Sequence, residues 1–223
     1  MTIRSVGAVL TVLLLFTCVA SAELLNSQAG LATCVSQPIL DPAQGGPFLP
    51  GCGNYLTVPI GTNPAWEPAG PIPPIWVSYA DTGQGGANFQ PFGGATVADV
   101  VFQVFQPISA GNTFFHLQVW ADDTAGVYLD LVQLKAPVFT QSTCSGQPIG
   151  CRPQDVGTFD LTLDPSVAHM LRFDVYQVGT GENTTDNPMG LLFEGYAVPE
   201  PGSILLLGTV LLGVTGLLRR RLT

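Results

Sequence analysis

Short runs of β-branched, aromatic and aliphatic residues, separated by Gly, Pro, Asn and Asp, fill residues 95–197 of this chain. Between 156 and 163 the apolar Phe159, Leu161 and Leu163 alternate with polar residues, and this period of two predicts a strand with one buried face. Between the two chain ends, no segment of useful length shows the 3.6-residue period of an amphipathic helix. We therefore predict an all-β fold, an antiparallel β-sandwich that is jelly-roll-like in its connections.

The sequence divides the chain ahead of these runs from the sandwich itself. Ten of the 19 prolines fall between residues 38 and 74, a density that excludes a helix there. We interpret residues 23–75 as a Pro-rich lead-in that packs on the body or links to it, and residues 76–197 as the β-sandwich domain. The predicted strands lie at about 96–106, 113–121, 126–134, 156–163, 169–177 and 190–197.

The N-terminal segment has the three parts of a secretory signal. Arg4 supplies the positive charge, residues 6–19 are almost wholly apolar, and Ala20, Ser21 and Ala22 form a small-residue cleavage site. We predict a helical signal peptide over residues 1–22, exported by the Sec translocon and cleaved before Glu23. The alternative, an uncleaved anchor, is disfavoured because the apolar run falls short of the roughly 20 residues that span a bilayer.

The C-terminal segment, residues 198–223, has a second tripartite pattern. Pro199, Glu200 and Pro201 precede an apolar run, which is followed by three arginines, Arg219, Arg220 and Arg221. As a helix, residues 202–218 would measure about 25 Å, close to the hydrocarbon thickness of about 30 Å. We predict a transmembrane helix over 202–218 whose arginines lie on the cytoplasmic side, so that the body faces outward.

This C-terminal pattern resembles the PEP-CTERM protein-sorting signal of Gram-negative bacteria. The resemblance implies recognition by an exosortase, a membrane cysteine protease-transpeptidase that cuts near the Pro-Glu-Pro triplet. It implies a precursor anchored in the inner membrane, with the body outside the cytoplasm, and later transfer to the cell envelope or extracellular matrix. Proteins of this kind usually accompany exopolysaccharide production, so exopolysaccharide is an expected partner.

The charge distribution excludes nucleic acid as a partner. The net charge is −9, and only Lys135, Arg152 and Arg172 are basic between residues 23 and 198, against 15 acidic residues. Phosphate binding requires clustered Lys and Arg, which this body lacks.

Four cysteines remain after removal of the signal: Cys34, Cys52, Cys144 and Cys151. In an exported chain they predict two disulfides, for which three connectivities exist. Proximity in sequence favours Cys34–Cys52 and Cys144–Cys151. The spacings do not match the C-x₂₋₄-C pairs of a zinc site.

Asp122 and Asp123 lie between two predicted strands and are candidate calcium ligands, because adjacent carboxylates suit a hard cation. A solvated turn is the alternative. The segment resembles the Asp-Asp turn of lectin-like β-sandwiches, including PA14-type modules, in which the aspartate pair holds calcium beside a sugar. Leu131 departs from that pattern, which usually has Gly after Asp130. Apart from this candidate calcium, we predict no cofactor.

Three tryptophans, Trp66, Trp76 and Trp120, are candidate platforms for stacking on a glycan, with core packing as the alternative. The segments around Trp66, 75–78, 114–130, 171–175 and 188–195 occur in an order similar to that of PEP-CTERM ectodomains with jelly-roll, galactose-binding-like sandwiches.

The sequence contains no G-x-S-x-G, H-E-x-x-H or C-x-x-C motif, and His116 and His169, its two histidines, both lie in strand-like runs. We therefore expect a structural or adhesive protein rather than an enzyme. A calcium-assisted carbohydrate-binding module is the alternative, and a secreted hydrolase is a third reading.

Overall fold

A computed structural model describes residues 21–35, 55–86, 99–138, 149–177 and 188–199. These residues form an antiparallel sandwich of two sheets, as the alternating runs predict. The strands are β1 Glu23–Asn26, β2 Ala32–Val35, β3 Tyr55–Leu56, β4 Val58–Pro59, β5 Val77–Ser78, β6 Asp99–Ile108, β7 Asn112–Asp122, β8 Thr124–Leu129, β9 Val132–Lys135, β10 Gly157–Thr162, β11 His169–Gln177 and β12 Gly190–Pro199. A 3₁₀ turn, Pro153–Asp155, precedes β10.

The first sheet has the order β10-β7-β12-β5-β4. Strand β12 pairs with β7 along one edge, while β5 and then β1 pair with its other edge. The second sheet has the order β3-β2-β6-β11-β8-β9. Strands β1 to β4 come from the Pro-rich lead-in, so the sandwich includes strands that precede residue 76.

The main core lies between the two sheets. On β7 the inward positions are Phe115, Leu117 and Val119, all fully buried, as the two-residue period requires. Across the core, the rings of Phe173 and Phe193 stack with their centroids 4.5 Å apart, which joins β11 of one sheet to β12 of the other.

A second, smaller core covers part of the outer face of the first sheet. It contains Trp66, Trp76, Trp120, Cys151 and Leu192. Trp120 and Leu192 are cross-strand partners on β7 and β12, and their side chains lie on the face opposite the main core. The segments around residues 60–76 and 149–156 are thereby held against the sheet.

One predicted strand is wrong in extent. The run 126–134 is two strands, β8 and β9, joined by a tight turn at Asp130 and Leu131. Both residues have positive φ, 49° and 71°, which is the backbone geometry of a two-residue hairpin turn. The sequence did not predict this turn because a leucine rarely adopts a positive φ.

The predicted C-terminal helix and residues 1–20 of the predicted signal helix lie outside the described residues, while Ser21 and Ala22 are described and are not helical. Within the described ranges, no helix has both the length and the apolar character that a membrane crossing requires.

Candidate functional site

The most unusual local geometry lies at the corner between β7 and β8. Asp122 ends β7, Asp123 follows it through a cis peptide bond, and Thr124 begins β8. Asp122 is buried, and the backbone N–H of Asp123 donates to the carbonyl of Tyr176 on β11 at 3.2 Å. The corner therefore joins the two sheets and carries two adjacent carboxylates.

Trp66 contacts this corner directly. Its indole Nε1 donates to Asp122 Oδ2 at 2.8 Å, and its ring packs on Trp76 with centroids 4.3 Å apart. Trp76 in turn donates from Nε1 to the carbonyl of Glu67 at 2.8 Å. The segment before β5 is thus fixed to the end of β7 by the Trp66 hydrogen bond and by packing, and the Trp76 bond braces the segment internally.

The surroundings of Asp122 disfavour its negatively charged form. Burial raises the pKa of Asp122 well above its usual range, and the neighbouring charge of Asp123 raises it further. The hydrogen bond from Trp66 lowers the pKa of Asp122 and offsets these effects in part. A proton on Asp122 or a bound cation would relieve the repulsion between the buried Asp122 and the partly buried Asp123.

Asp122 and Asp123 suit a hard cation by ligand type but do not complete its coordination shell. Calcium takes six to eight oxygen ligands, and this corner contributes two carboxylates. Among the residues that the structure describes, no group of three or more His, Cys, Asp or Glu side chains is placed to hold a metal ion.

The prediction that tryptophans form a glycan-stacking surface is wrong. Trp66, Trp76 and Trp120 are each at most 6% exposed, so none has a free ring face for a sugar. They pack together as the second core instead. The structure does bring these three residues to the side of the sheet that holds Asp122, although the sequence places Trp66 and Trp120 far apart.

The second sheet carries on its outer face a polar network that the sequence did not predict. Arg172 Nε lies 3.0 Å from Asp174 Oδ1, and Gln103 Nε2 donates to the same oxygen at 2.7 Å. The Arg172 guanidinium also lies 4.0 Å from the centroid of the Tyr128 ring. Burial raises the pKa of Asp174, while Arg172 and Gln103 lower it. The available signal was the alternation of Arg172 and Asp174 with apolar residues on β11.

The two histidines lie in separate environments. His116 Nδ1 is 2.8 Å from Asp160 Oδ1 across β7 and β10. His169 Nδ1 is 2.6 Å from Asp130 Oδ2, and its Nε2 is 2.9 Å from the carbonyl of Asp164. Within the described part of the chain, neither ring has a hydroxyl or thiol among its hydrogen-bond partners.

Two of the four predicted disulfide cysteines are described. Cys34 and Cys151 are buried, and both are in the disulfide form. Cys52 and Cys144 lie outside the described residues, so the pairing Cys34–Cys52 and Cys144–Cys151 stays a prediction.

The predicted processing sites lie at the ends of the described body. Ala22 is exposed and immediately precedes β1, which begins at Glu23. Pro199 is the last residue of β12, where it pairs with Asn112. Ala20, Glu200, Pro201, Arg219, Arg220 and Arg221 lie outside the described residues.

Comparison with known families decides the nature of the C-terminal segment. Residues 197–221 match the model of the PEP-CTERM protein-sorting motif. The chain carries a PEP-CTERM sorting motif. Such a motif implies an exported precursor that is anchored in a membrane and later processed, as the sequence predicts. The match begins inside β12, so the PEP-CTERM segment continues directly from a strand that pairs on both edges.

No curated protein matches the chain. Among solved structures, a β-glucosidase from Kluyveromyces marxianus matches at 12% identity with a TM-score of 0.28. That match covers 46% of this chain and 12% of the β-glucosidase. A likeness this distant carries no argument about function.

Proposed function

We propose that this protein is a non-enzymatic component of the cell envelope or extracellular matrix of a Gram-negative bacterium, delivered there by exosortase processing. It enters by the Sec translocon and is held in the inner membrane as a precursor. A jelly-roll-like body then serves a structural or adhesive role with exopolysaccharide. The observation that supports this proposal is the PEP-CTERM motif at residues 197–221.

The strand pairing of the body suits a protein that must resist mechanical force. β12, which leads into the motif, pairs with β7 along one edge and with β5 and β1 along the other. A force applied at the processed C-terminus would therefore act on a strand held from both sides.

Removal of the motif tests the delivery. Deletion of residues 200–223 leaves β12 intact, since that strand ends at Pro199. Expressed in a host with an exosortase, the truncated chain should lose the membrane-bound precursor and should appear directly in the periplasm or medium. Unchanged processing and location would contradict the proposal.

A point variant with a matched control sharpens this test. Glu200→Ala changes the motif itself and should make the precursor accumulate. Glu194→Ala changes a partly exposed glutamate on β12, outside residues 197–221, and should leave processing unchanged. Equal processing of both variants would show that the exosortase does not recognise Glu200 of the triplet.

A second candidate function, calcium-assisted carbohydrate binding, is favoured by the carboxylate pair at the corner. Asp122 and Asp123 would contribute oxygen ligands, and a bound cation would remove the repulsion that raises the pKa of Asp122. A glycan array with calcium and with EDTA tests this function. Glycan binding that EDTA abolishes supports the candidate, and no binding in either condition removes it.

A further inference from the structure

The described body begins and ends at the same end of the sandwich. β1 runs antiparallel to β12, and Glu23, its first residue, lies opposite Ala197, two residues before β12 ends at Pro199. We call this the tether end. The β6–β7 connection (109–111), the β8–β9 turn (130–131) and the β10–β11 connection (163–168) also lie there.

Hydrogen bonds between these connections confirm that they form one surface. The N–H of Ser109 donates to Glu23 Oε2 at 2.9 Å, and the N–H of Gly111 donates to the carbonyl of Pro165 at 2.8 Å. The N–H of Asp130 donates to the carbonyl of Met170 at 3.0 Å. The predicted signal peptide and the PEP-CTERM motif thus both join the body on this surface.

The sequence leaves little chain between this surface and a membrane. The apolar run begins at Ile204, five residues beyond Pro199. Five residues reach at most about 17 Å when fully extended, and the polar layer on each side of a bilayer is roughly 5–8 Å deep. In the anchored precursor, whose existence rests on the proposed function, the tether end therefore lies beside the bilayer surface.

Exposed apolar side chains concentrate at the tether end. Of the ten exposed large hydrophobic residues in the described ranges, four lie in its connections or directly beside them. Leu131 in the β8–β9 turn is 81% exposed, Val132, which begins β9, is 65% exposed, and Val167 in the β10–β11 connection is 49% exposed. The fourth is Met170, the second residue of β11. Single exposed apolar residues are ordinary, but their concentration on one surface marks a contact with another apolar phase.

The carboxylates of the same surface are occupied by hydrogen-bond donors of the body. Glu23 accepts from Ser109 and Asn112, and Asp164 accepts from the backbone and hydroxyl of Ser166. Asp130 accepts from the N–H of Met170 at 2.8 Å and lies against His169. These donors hold the carboxylates against the body and stabilise them as anions, while the apolar side chains remain exposed.

His169 holds the two apolar loop tips together. Its Nδ1 faces the carboxylate of Asp130 in the β8–β9 turn, and its Nε2 faces the carbonyl of Asp164 in the β10–β11 connection. Both partners are acceptors, so both bonds form only when each ring nitrogen carries a hydrogen. The protonated ring therefore fixes Leu131 and Val167 on one surface.

We infer that the tether end docks on the lipid headgroup layer of the membrane that anchors the precursor, with Leu131, Val132 and Val167 inserted into the interface. The contact orients the body on the bilayer. It also keeps the chain that leaves β12 at Pro199 at the membrane surface, within reach of a membrane-embedded protease.

Photo-crosslinking of the full-length precursor tests this contact. The precursor is placed in vesicles of phosphatidylethanolamine and phosphatidylglycerol, with a benzophenone amino acid replacing Leu131 or Val167. The control is the same replacement of Ile72, which is 73% exposed. In sequence, Ile72 lies between Trp66 and Val77. Trp66 bonds Asp122 at the far end of β7, and Val77 pairs with Leu191 near the start of β12, so both flanking residues lie away from the tether end.

Lipid adducts at positions 131 and 167 that exceed those at position 72 severalfold support the docking. Equal yields at the three positions, or no adducts at 131 and 167, overturn it, provided that the chain floats with the vesicles. A chain that does not float overturns the proposed membrane anchoring, and the docking with it. Flotation and crosslinking therefore distinguish the failure of the proposed function from the failure of the docking.

Discussion

The indole of Trp66 donates a hydrogen bond to the buried carboxyl of Asp122 at 2.8 Å, across 56 residues of sequence. This contact joins the proline-rich segment before β5 to the end of β7. It also supplies a hydrogen-bond donor to a carboxyl that burial and Asp123 disfavour as an anion.

Replacing Trp66 by Phe should lower the free energy of unfolding by about 1–3 kcal/mol, because a buried acceptor loses its donor while an aromatic ring remains. Denaturation in urea measures the change. Trp76→Phe is the matched control. Its indole donates to the neutral carbonyl of Glu67, so its loss should cost only about 0.5–1.5 kcal/mol. A larger loss for Trp76→Phe would contradict this ranking.

Replacing Asp122 by Asn should stabilise the metal-free protein at neutral pH. An amide keeps an acceptor for Trp66 and removes the charge that Asp123 repels. The pKa of Asp122 is raised in the folded state above its unfolded value near 3.9. The destabilisation that Asp122 causes is therefore absent below the unfolded pKa. It grows as the pH rises through the folded pKa and reaches its full size above the folded pKa.

Chemical unfolding of wild type and Asp122→Asn in EDTA, at pH 4 and pH 7, measures this effect. The stabilisation should be larger at pH 7, and a gain that does not depend on pH would refute the explanation. Calcium adds a second readout. If the corner binds calcium, the ion should stabilise the wild type through linkage and should stabilise the variant less.

Replacing His169 by Gln should remove a stabilising contribution that depends on pH. The hydrogen bond to Asp130 raises the pKa of His169 above its ordinary value of 6.5. A raised histidine pKa stabilises the fold fully below about 6.5, and the contribution is lost as the pH rises through the folded pKa. The variant should therefore lose about 1–3 kcal/mol at pH 6 and less at pH 9.

Thermal or urea unfolding across that pH range checks the prediction for His169. His116→Gln is the control, because His116 bonds the exposed Asp160 across neighbouring strands instead of joining two loops. Because His116 and Asp160 are both partly exposed, His116→Gln should cost less stability at pH 6 than His169→Gln. A wild-type pH dependence in His169→Gln would rule out His169 as its source.

Replacing Gly195 by Ala should destabilise the first sheet. A Cβ at this position would collide with the carbonyl oxygen of His116 on β7, which is backbone and cannot move aside. We expect a loss of about 1–3 kcal/mol from overpacking. Gly70→Ala is the control, since its nearest atoms lie at 3.8 Å or beyond, and it should be nearly neutral. Equal stability of the two variants would be inconsistent with this packing.

The alternation of apolar and polar residues predicted much of the sandwich. The run at 169–177 is β11 with the predicted bounds, and 190–197 is β12 apart from its last two residues. Local pattern suffices here because a strand buried on one face records its burial in every second residue. The short strands β3, β4 and β5 leave no such record, since two residues are too few to show a period.

The candidate site was harder to predict because its contacts are not local. The sequence pointed to Asp122 and Asp123 through the chemistry of adjacent carboxylates and a resemblance, and to three tryptophans through their chemistry. Their burial depends on whether another segment covers that face of the sheet. A local sequence pattern does not contain this information. The partnership of His169 with Asp130 likewise needs the β8–β9 turn to lie against the start of β11.

The sequence alone identified the PEP-CTERM sorting motif and the all-β fold class, because a sorting motif and a two-residue period are both properties of contiguous residues. Only the tertiary structure decided that the tryptophans form a second core and that Trp66 reaches Asp122. Only the structure placed Glu23 and Pro199 at the same end, beside the exposed Leu131 and Val167. The physical reason is that strand pairing brings together residues far apart in sequence, and burial and charge take their effect from those neighbours.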